Sequence, residues 1–253
     1  RDAGDLSGEE MQQIALEMNY SETTFVIGNE ASNDGYRVRI FTPRAELAFA
    51  GHPTLGTAYI IREYVTESPP ETITLDLDVG PIPVTVDDMG KTELFWMNQI
   101  PPEFNEIIQP EQAADIIGLD QNQVDLDYAC QVVSTGLPTL IIPLTSLEAV
   151  QDVEIDLSEY ERFVERFGTK IVLVFSSETI GIDKDLHVRL FGPALGVSED
   201  PATGSGNGCL AGYLSKYQYF GSSSVEAKVE QGYEFDRPSL LYIEADSRDE
   251  IDV

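Results

Sequence analysis

The chain has 253 residues, with 45 Asp and Glu against 15 Lys and Arg, a formal net charge of −30 and 42% hydrophobic residues. That length holds one large or two medium domains, and a field of this sign repels nucleic acid and anionic membranes, so neither is expected as a partner. Two cysteines and two histidines are too few for a disulfide framework, a structural zinc site or a His-rich metal site.

No apolar run reaches the roughly 18–20 residues of a membrane span. The first residues carry no signal-like apolar segment, so a reduced, cytoplasmic setting is expected. The acids are scattered through every segment, which reads as a solvated surface. Two explanations stand side by side: a surface adapted to high salt, where screening removes self-repulsion, or a merely acidic protein from an ordinary habitat.

In chain order, Leu6 to Tyr20 has helical character, with Ser7 and Glu10 spaced as a capping box and Met11, Ile14, Ala15 and Met18 on one face. Ser21 to Ile27 reads as a strand, which puts Glu22 at a helix-to-strand junction, where a carboxylate either faces solvent or serves chemistry. Tyr36 to Phe41 alternates as a strand. Glu46 to Ala58 leads into a helix running to about Val65, with Pro53 in its first turn. His52 therefore sits at a helix N-terminus, where the dipole favours neutral imidazole; a His that caps its own helix is the plainer reading.

Thr72 to Leu77, Pro81 to Asp87 and Glu93 to Asn98 are short strands, with turns at Asp78-Val79-Gly80 and Met89-Gly90. Ile100-Pro101-Pro102 and the polar residues after it mark a domain boundary, giving halves of 1–104 and 105–253. In the second half, helices are expected over Pro110 to Leu119 and Ser158 to Phe167. Strands are expected over Tyr128 to Ser134, Leu140 to Leu144, Ile171 to Ser176, Leu186 to Phe191, Val225 to Glu230 and Ser239 to Ala245.

Ser198 to Tyr213 reads as a carboxylate-bearing turn, a glycine-rich loop and a helix running to about Tyr219. Gly204, Gly206 and Gly208 would let the backbone approach a ligand, and the small residues behind them would pack the helix start tightly. Unpaired N–H groups and the positive dipole end make an anion the natural guest. A glycine-rich loop with no ligand fits this stretch equally well.

Arg39-Ile40-Phe41-Thr42-Pro43 and Arg189-Leu190-Phe191-Gly192-Pro193 share one pattern. Each is followed by an acidic residue, a small-residue turn with glycine, a helix, and strands around a glycine, Gly80 or Gly232. So long a period excludes a solenoid and indicates two similar domains, with a ligand in the cleft between them. The expected fold class is α+β, each half a mixed sheet around a central helix.

These residues resemble the PhzF-like family of phenazine biosynthesis, which shares the diaminopimelate epimerase fold. The resemblance rests on Ser21-Glu22-Thr23-Thr24-Phe25, the Arg39 to Pro43 stretch, Phe49 to Ala58, Ser134-Thr135-Gly136-Leu137-Pro138, Glu199 to Ser205, and Gln231-Gly232 with Arg237-Pro238-Ser239. It implies two pseudo-symmetric β-barrel-like domains with the active site in the cleft, usually a homodimer, and cofactor-free isomerisation by moving a proton on a small carboxylated metabolite. It maps the acid/base glutamate onto Glu22, the histidine onto His52, and an aspartate and a serine onto Asp200 and Ser205. Substrate binding then falls to Gly51, Gly204, Ser205 and Gly206. The family begins with a strand and a Gly-Asn-Pro-type turn before its first helix. The chain as given begins after them, so part of the cleft near that strand is expected to be incomplete.

Moving a proton between carbons needs a carboxyl group of raised pKa within hydrogen-bond reach, which burial would supply to Glu22, with Asp200 adding to it if near. Related epimerases use two thiols, one before each glycine turn; Ala50 and Thr203 stand there instead, so two-thiol chemistry is excluded. Cys130 and Cys209 read as packing residues. The competing class is a metabolite-binding or scaffold protein that keeps the cleft without turnover.

Overall fold

The protein is described from a computed structural model covering residues 2–28, 35–68, 70–88, 93–247 and 251–253. Two compact units divide the chain, Arg1–Asn98 and Gln99–Val253. The expected turn at Met89-Gly90 lies outside the described residues.

In the first unit, α1 (Gly8–Met18) starts with the capping box foreseen from Ser7 and Glu10, and ends with Asn19 in the left-handed region. The strands are β1 (Thr23–Val26), β2 (Tyr36–Phe41) and the short β3 (Glu46–Leu47). The helix α2 (Gly51–Tyr64) follows, then β4 (Thr72–Leu77), β5 (Gly80–Asp88) and β6 (Glu93–Met97). The sheet order is β1-β2-β4-β5-β6, with β3 on β2. The β2–β4 pair is parallel and the chain crosses over through α2, whereas β1–β2 and β4–β5 are antiparallel. Ala58 and Ile61 of α2 pack on Val26, Val38, Ile40, Ile73, Leu75 and Val84. Met11 and Ala15 of α1 pack on Phe25 and Phe41, whose rings meet edge to face at 5.5 Å.

The second unit opens with β7 (Glu103–Ile108), α3 (Pro110–Ile117), β8 (Cys130–Ser134), β9 (Thr139–Pro143) and α4 (Leu147–Gln151). It continues through α5 (Leu157–Phe167), β10 (Ile171–Ser176), β11 (Leu186–Gly192) and β12 (Val197–Asp200). It closes with α6 (Gly204–Tyr217), β13 (Val225–Gln231) and β14 (Ser239–Ala245). The strand order is β14-β13-β11-β10-β9-β8-β7, with β12 on β11.

Both faces of this sheet are covered, so its central strands are apolar without alternation. Val172 and Val174 join Tyr160 and Phe163 of α5 in one core, while Leu173 and Phe175 join Leu210 and Leu214 of α6 in another. Residues after Pro102, which read as a polar boundary, form β7 instead. It is an edge strand whose side chains are largely exposed, so polar residues cost it nothing.

The repeat seen in the sequence is a repeat of topology. β2-α2-β4 and β11-α6-β13 are both parallel crossovers, each preceded by an antiparallel partner and followed by an antiparallel hairpin. Both central helices have 14 residues.

Candidate active site

Glu22 directly precedes β1, and His52 is the second residue of α2. The structure brings them together: His52 Nε2 lies 3.1 Å from Glu22 Oε2. The Glu22 side chain is 18% exposed and the imidazole 54%. Oε2 itself is buried, and among the described residues no other polar partner reaches it. The Thr57 hydroxyl of α2 donates to the Thr24 hydroxyl of β1 at 2.9 Å, pinning the strand that carries Glu22 to the helix that carries His52. A carboxylate shielded from water on one oxygen and touched there only by an imidazole can accept a proton and return it.

In the second unit, β12 delivers Asp200 to a turn that ends at Thr203, the residue before α6. The Thr203 hydroxyl donates to Asp200 Oδ2. Gly204, Ser205 and Gly206 form the first turn of α6, and Gly51 opens α2. Neither helix has a capping side chain: the residues before them are Ala50 and Thr203. Each first turn thus presents amide N–H groups and a positive dipole end, the arrangement that holds a carboxylate.

The glycines of α6 also serve packing, which their spacing does not show. A Cβ on Gly206 would stand 2.3 Å from Leu190 Cδ1, one on Gly208 2.3 Å from the Gln99 amide, and one on Gly212 2.8 Å from the Pro102 ring. Gly206 and Gly208 are therefore small so that α6 can press against its own sheet and against Gln99, a packing demand on the missing side chains that leaves the backbone amides of the first turn unaffected. Gln99 in turn accepts from the Thr135 hydroxyl at 2.6 Å and donates to the Gly204 carbonyl at 2.9 Å, tethering the helix start.

Each half of the repeat carries one matched device. Arg39 grips Glu46 with two hydrogen bonds of 2.6 and 2.7 Å, and Arg189 grips Glu199 with two of 2.9 Å. Each guanidinium also lies over the phenylalanine two residues on, at 5.1 and 4.9 Å from the Phe41 and Phe191 ring centres. The forks lock β3 and β12 to the strands beside them, and those short strands lead into the two uncapped helices. Arg189 further donates to the carbonyls of Val150, Gln151 and Val153 at the end of α4.

The halves diverge at the positions of Glu22 and His52. Thr23 faces Phe41 across β1–β2, and Val172 faces Phe191 across β10–β11. Ile171 consequently stands where Glu22 stands in the first half, and Ser205 where His52 stands. One half carries a proton acceptor; its counterpart is apolar. Burial raises the Cys130 thiol to about 12 and also raises Cys209, despite hydrogen bonds from Thr135 that act the other way. Both are inert packing thiols. No helix among the described residues is long and apolar enough to cross a membrane.

Sequence reasoning missed Gln99, Gln231 and the Arg–Glu forks as parts of this arrangement. Their signal was present in the repeated Arg-x-Phe with a following acid, and in the Gln231-Gly232 pair. Gly232 has φ +81°, and a Cβ there would stand 2.4 Å from the Arg237 carbonyl oxygen and 2.9 Å from that of Pro201. Gly232→Ala is expected to destabilise the protein by more than about 1–3 kcal/mol, the cost of a strained backbone alone. Gly221→Ala, at φ +76° with nothing within 4 Å, should cost only the strain; chemical denaturation of both variants measures the difference.

A family model described as "Phenazine biosynthesis-like protein" (PhzC-PhzF) matches residues 1–252. Trans-2,3-dihydro-3-hydroxyanthranilate isomerase of Pseudomonas aeruginosa is 33% identical over 98% of this chain and 84% of that protein. The structure of a PhzF-family phenazine biosynthesis protein from Bacillus anthracis superposes with a TM-score of 0.89 at 27% identity, covering 99% of this chain and 86% of that one. A probable proline racemase from Agrobacterium radiobacter shares the fold, with a TM-score of 0.54 at 11% identity over 94% of this chain and 78% of that one.

Proposed function

The chain belongs to the PhzC-PhzF family of phenazine biosynthesis-like proteins, and from that premise we propose that it is a cofactor-independent isomerase in which Glu22 moves a proton on a small carboxylated metabolite. The observation that carries this reading is the buried Glu22 Oε2, 3.1 Å from His52 Nε2. Glu22 takes the proton from one carbon as the electron pair shifts through the adjoining unsaturated system. The same carboxyl group returns the proton to another carbon, so no oxidant or second base is consumed. Ile171 at the matching place of the second half supports a single proton carrier.

His52 steadies the carboxyl group by holding Nε2 3.1 Å from Oε2. The first-turn amides over Gly204, Ser205 and Gly206 hold the substrate carboxylate, Gly51 offers its amide from the matching turn, and Asp200 completes the polar set. The relative's substrate, trans-2,3-dihydro-3-hydroxyanthranilate, has the required carboxylate and unsaturation and is the first candidate. Incubation with it in D2O, followed by mass spectrometry, tests the reading: deuterium enters carbon in an isomerised product. Binding without exchange would leave a metabolite-binding or scaffold protein. The homodimer that goes with this reading is measured by solution mass, and a reduced cytoplasmic setting suits its two buried, unpaired thiols.

The net charge of −30 supports a surface suited to high salt, since carboxylates crowded on one surface repel until screened. The denaturation midpoint is expected to rise from low to molar KCl. A midpoint flat across that range removes the idea.

A further inference from the structure

Gln231 is fully buried at the end of β13, and of the residues proposed to meet the substrate it holds Asp200, at the backbone carbonyl. Its amide is engaged by the turn that precedes α6 and by Asn207 of the helix itself. Nε2 donates to the Asp200 carbonyl at 2.7 Å and to the Thr203 hydroxyl at 3.3 Å. Oε1 accepts from Asn207 Nδ2 at 2.9 Å and from the Thr203 amide at 3.4 Å. Asn207, also buried, donates to the Thr203 carbonyl at 3.0 Å.

Threonine is a strong N-cap residue, and its hydroxyl ordinarily turns inward to accept from the second or third amide of the helix. For α6 those amides belong to Ser205 and Gly206. Here the hydroxyl makes no such bond. It points the other way, its proton on Asp200 Oδ2 and its lone pair on Gln231 Nε2. Gly232 completes the clamp, because only a residue without a side chain lets the Pro201 backbone come so close.

We propose that Gln231 is a positioning residue: by holding the Thr203 hydroxyl on the Asp200 side, it keeps the first-turn amides of α6 open to the substrate carboxylate. The inference deepens the isomerase reading and rests on it for the identity of the anion, but the state of the helix start can be measured without any ligand. Gln231→Met keeps the volume and removes both donors. The Thr203 hydroxyl is then released to cap its own helix.

The test is amide hydrogen exchange by NMR at Ser205 and Gly206, in wild type, Gln231→Met, and Gln231→Met with Thr203→Ala. Exchange is expected to slow at least about tenfold in the single variant, as a capping bond forms. It should return to the wild-type rate in the double variant, which has no hydroxyl to cap with. Binding follows the same order. The preference for anthranilate over anthranilamide should fall at least about tenfold in Gln231→Met, one charge-assisted hydrogen bond's worth, and recover in the double variant.

Simple destabilisation by a buried substitution would not be reversed by Thr203→Ala. Should Gln231→Met fail to fold, Gln231→Glu keeps the acceptor and removes the donors, and the same readings apply. Unchanged exchange in the foldable Gln231 variant, or a double variant no better than the single, overturns the proposal. If wild type binds neither probe while the exchange pattern appears as expected, the positioning role stands and the isomerase reading fails.

Discussion

Glu22→Gln is expected to slow solvent-deuterium incorporation and isomerisation by roughly 10²–10⁴-fold, the range lost when a positioned general acid or base is removed. That corresponds to about 3–5 kcal/mol of activation free energy. Glutamine keeps the length and shape of the side chain and its approach to His52 but cannot carry a proton between carbons. KM should move little, because the proposed function assigns the substrate carboxylate to backbone amides and not to Glu22. Glu22→Asp restores the acid group but withdraws it by one methylene, and a misplacement of that order still costs about 10²-fold. Ala50 and Thr203 offer no thiol in reserve, and burial keeps Cys130 and Cys209 protonated. Equal exchange rates in wild type and Glu22→Gln would take Glu22 out of the mechanism.

The second large effect concerns stability. His187 is buried on β11 with Nδ1 2.7 Å from Glu230 Oε1 and Nε2 2.8 Å from Glu234 Oε1. Glu230, also fully buried, accepts in addition from the backbone amides of Ile180 and Gly181. Glu230→Ala removes one partner from a buried charged pair and leaves two amides unsatisfied, so a loss of about 3–5 kcal/mol is expected. Glu226→Ala, exposed on the same strand, should change stability by less than about 0.5 kcal/mol. Urea titrations of the two variants give the contrast directly.

The same cluster sets a pH dependence. Burial pulls the His187 pKa down, but the hydrogen bonds it donates to Glu234 and Glu230 and their charges outweigh it and hold it above its ordinary 6.5. Its stabilisation is therefore complete below pH 6.5 and is lost as pH rises through the elevated folded value. Burial pushes the Glu234 carboxyl up, while the His187 hydrogen bond and charge pull it, on balance, below its ordinary 4.5. That contribution is present above pH 4.5 and disappears as pH falls through the lowered value. The pair thus stabilises most between about 4.5 and 6.5. The chain has only two histidines, and His52 is more than half exposed, so the decline above pH 6.5 belongs to His187. One proton sets its limit, about 1.4 kcal/mol per pH unit. Unfolding midpoints that stay level from pH 6 to 8.5 would count against a protonated His187.

Local elements with their own signals were legible in the sequence. The Ser7–Glu10 capping box, the alternation of Tyr36 to Phe41, and the helix of Pro110 to Ile117 with Gly118 after it were all marked by residues next to one another in the chain. The edge strand β7 was hidden because exposure leaves polar residues no worse than apolar ones, and α4 because its five residues span little more than one turn. Glu22, His52, Asp200 and Ser205 were legible as motif positions, and so was the repeat that contains them.

The two-fold pattern, the family and the residue types available for chemistry can all be read from short motifs along the chain. What each of those residues faces is set by tertiary packing. Gly206 and Gly208 face Leu190 and Gln99, Arg39 and Arg189 grip acids 7 and 10 residues on, and Glu22 meets an imidazole 30 residues away. Gln231 turns a capping threonine away from its helix. The reason is physical: a glycine, a buried amide or a carboxylate has no role until strand register and helix packing bring its partner within a few ångströms, and those contacts are made by residues far apart in the chain.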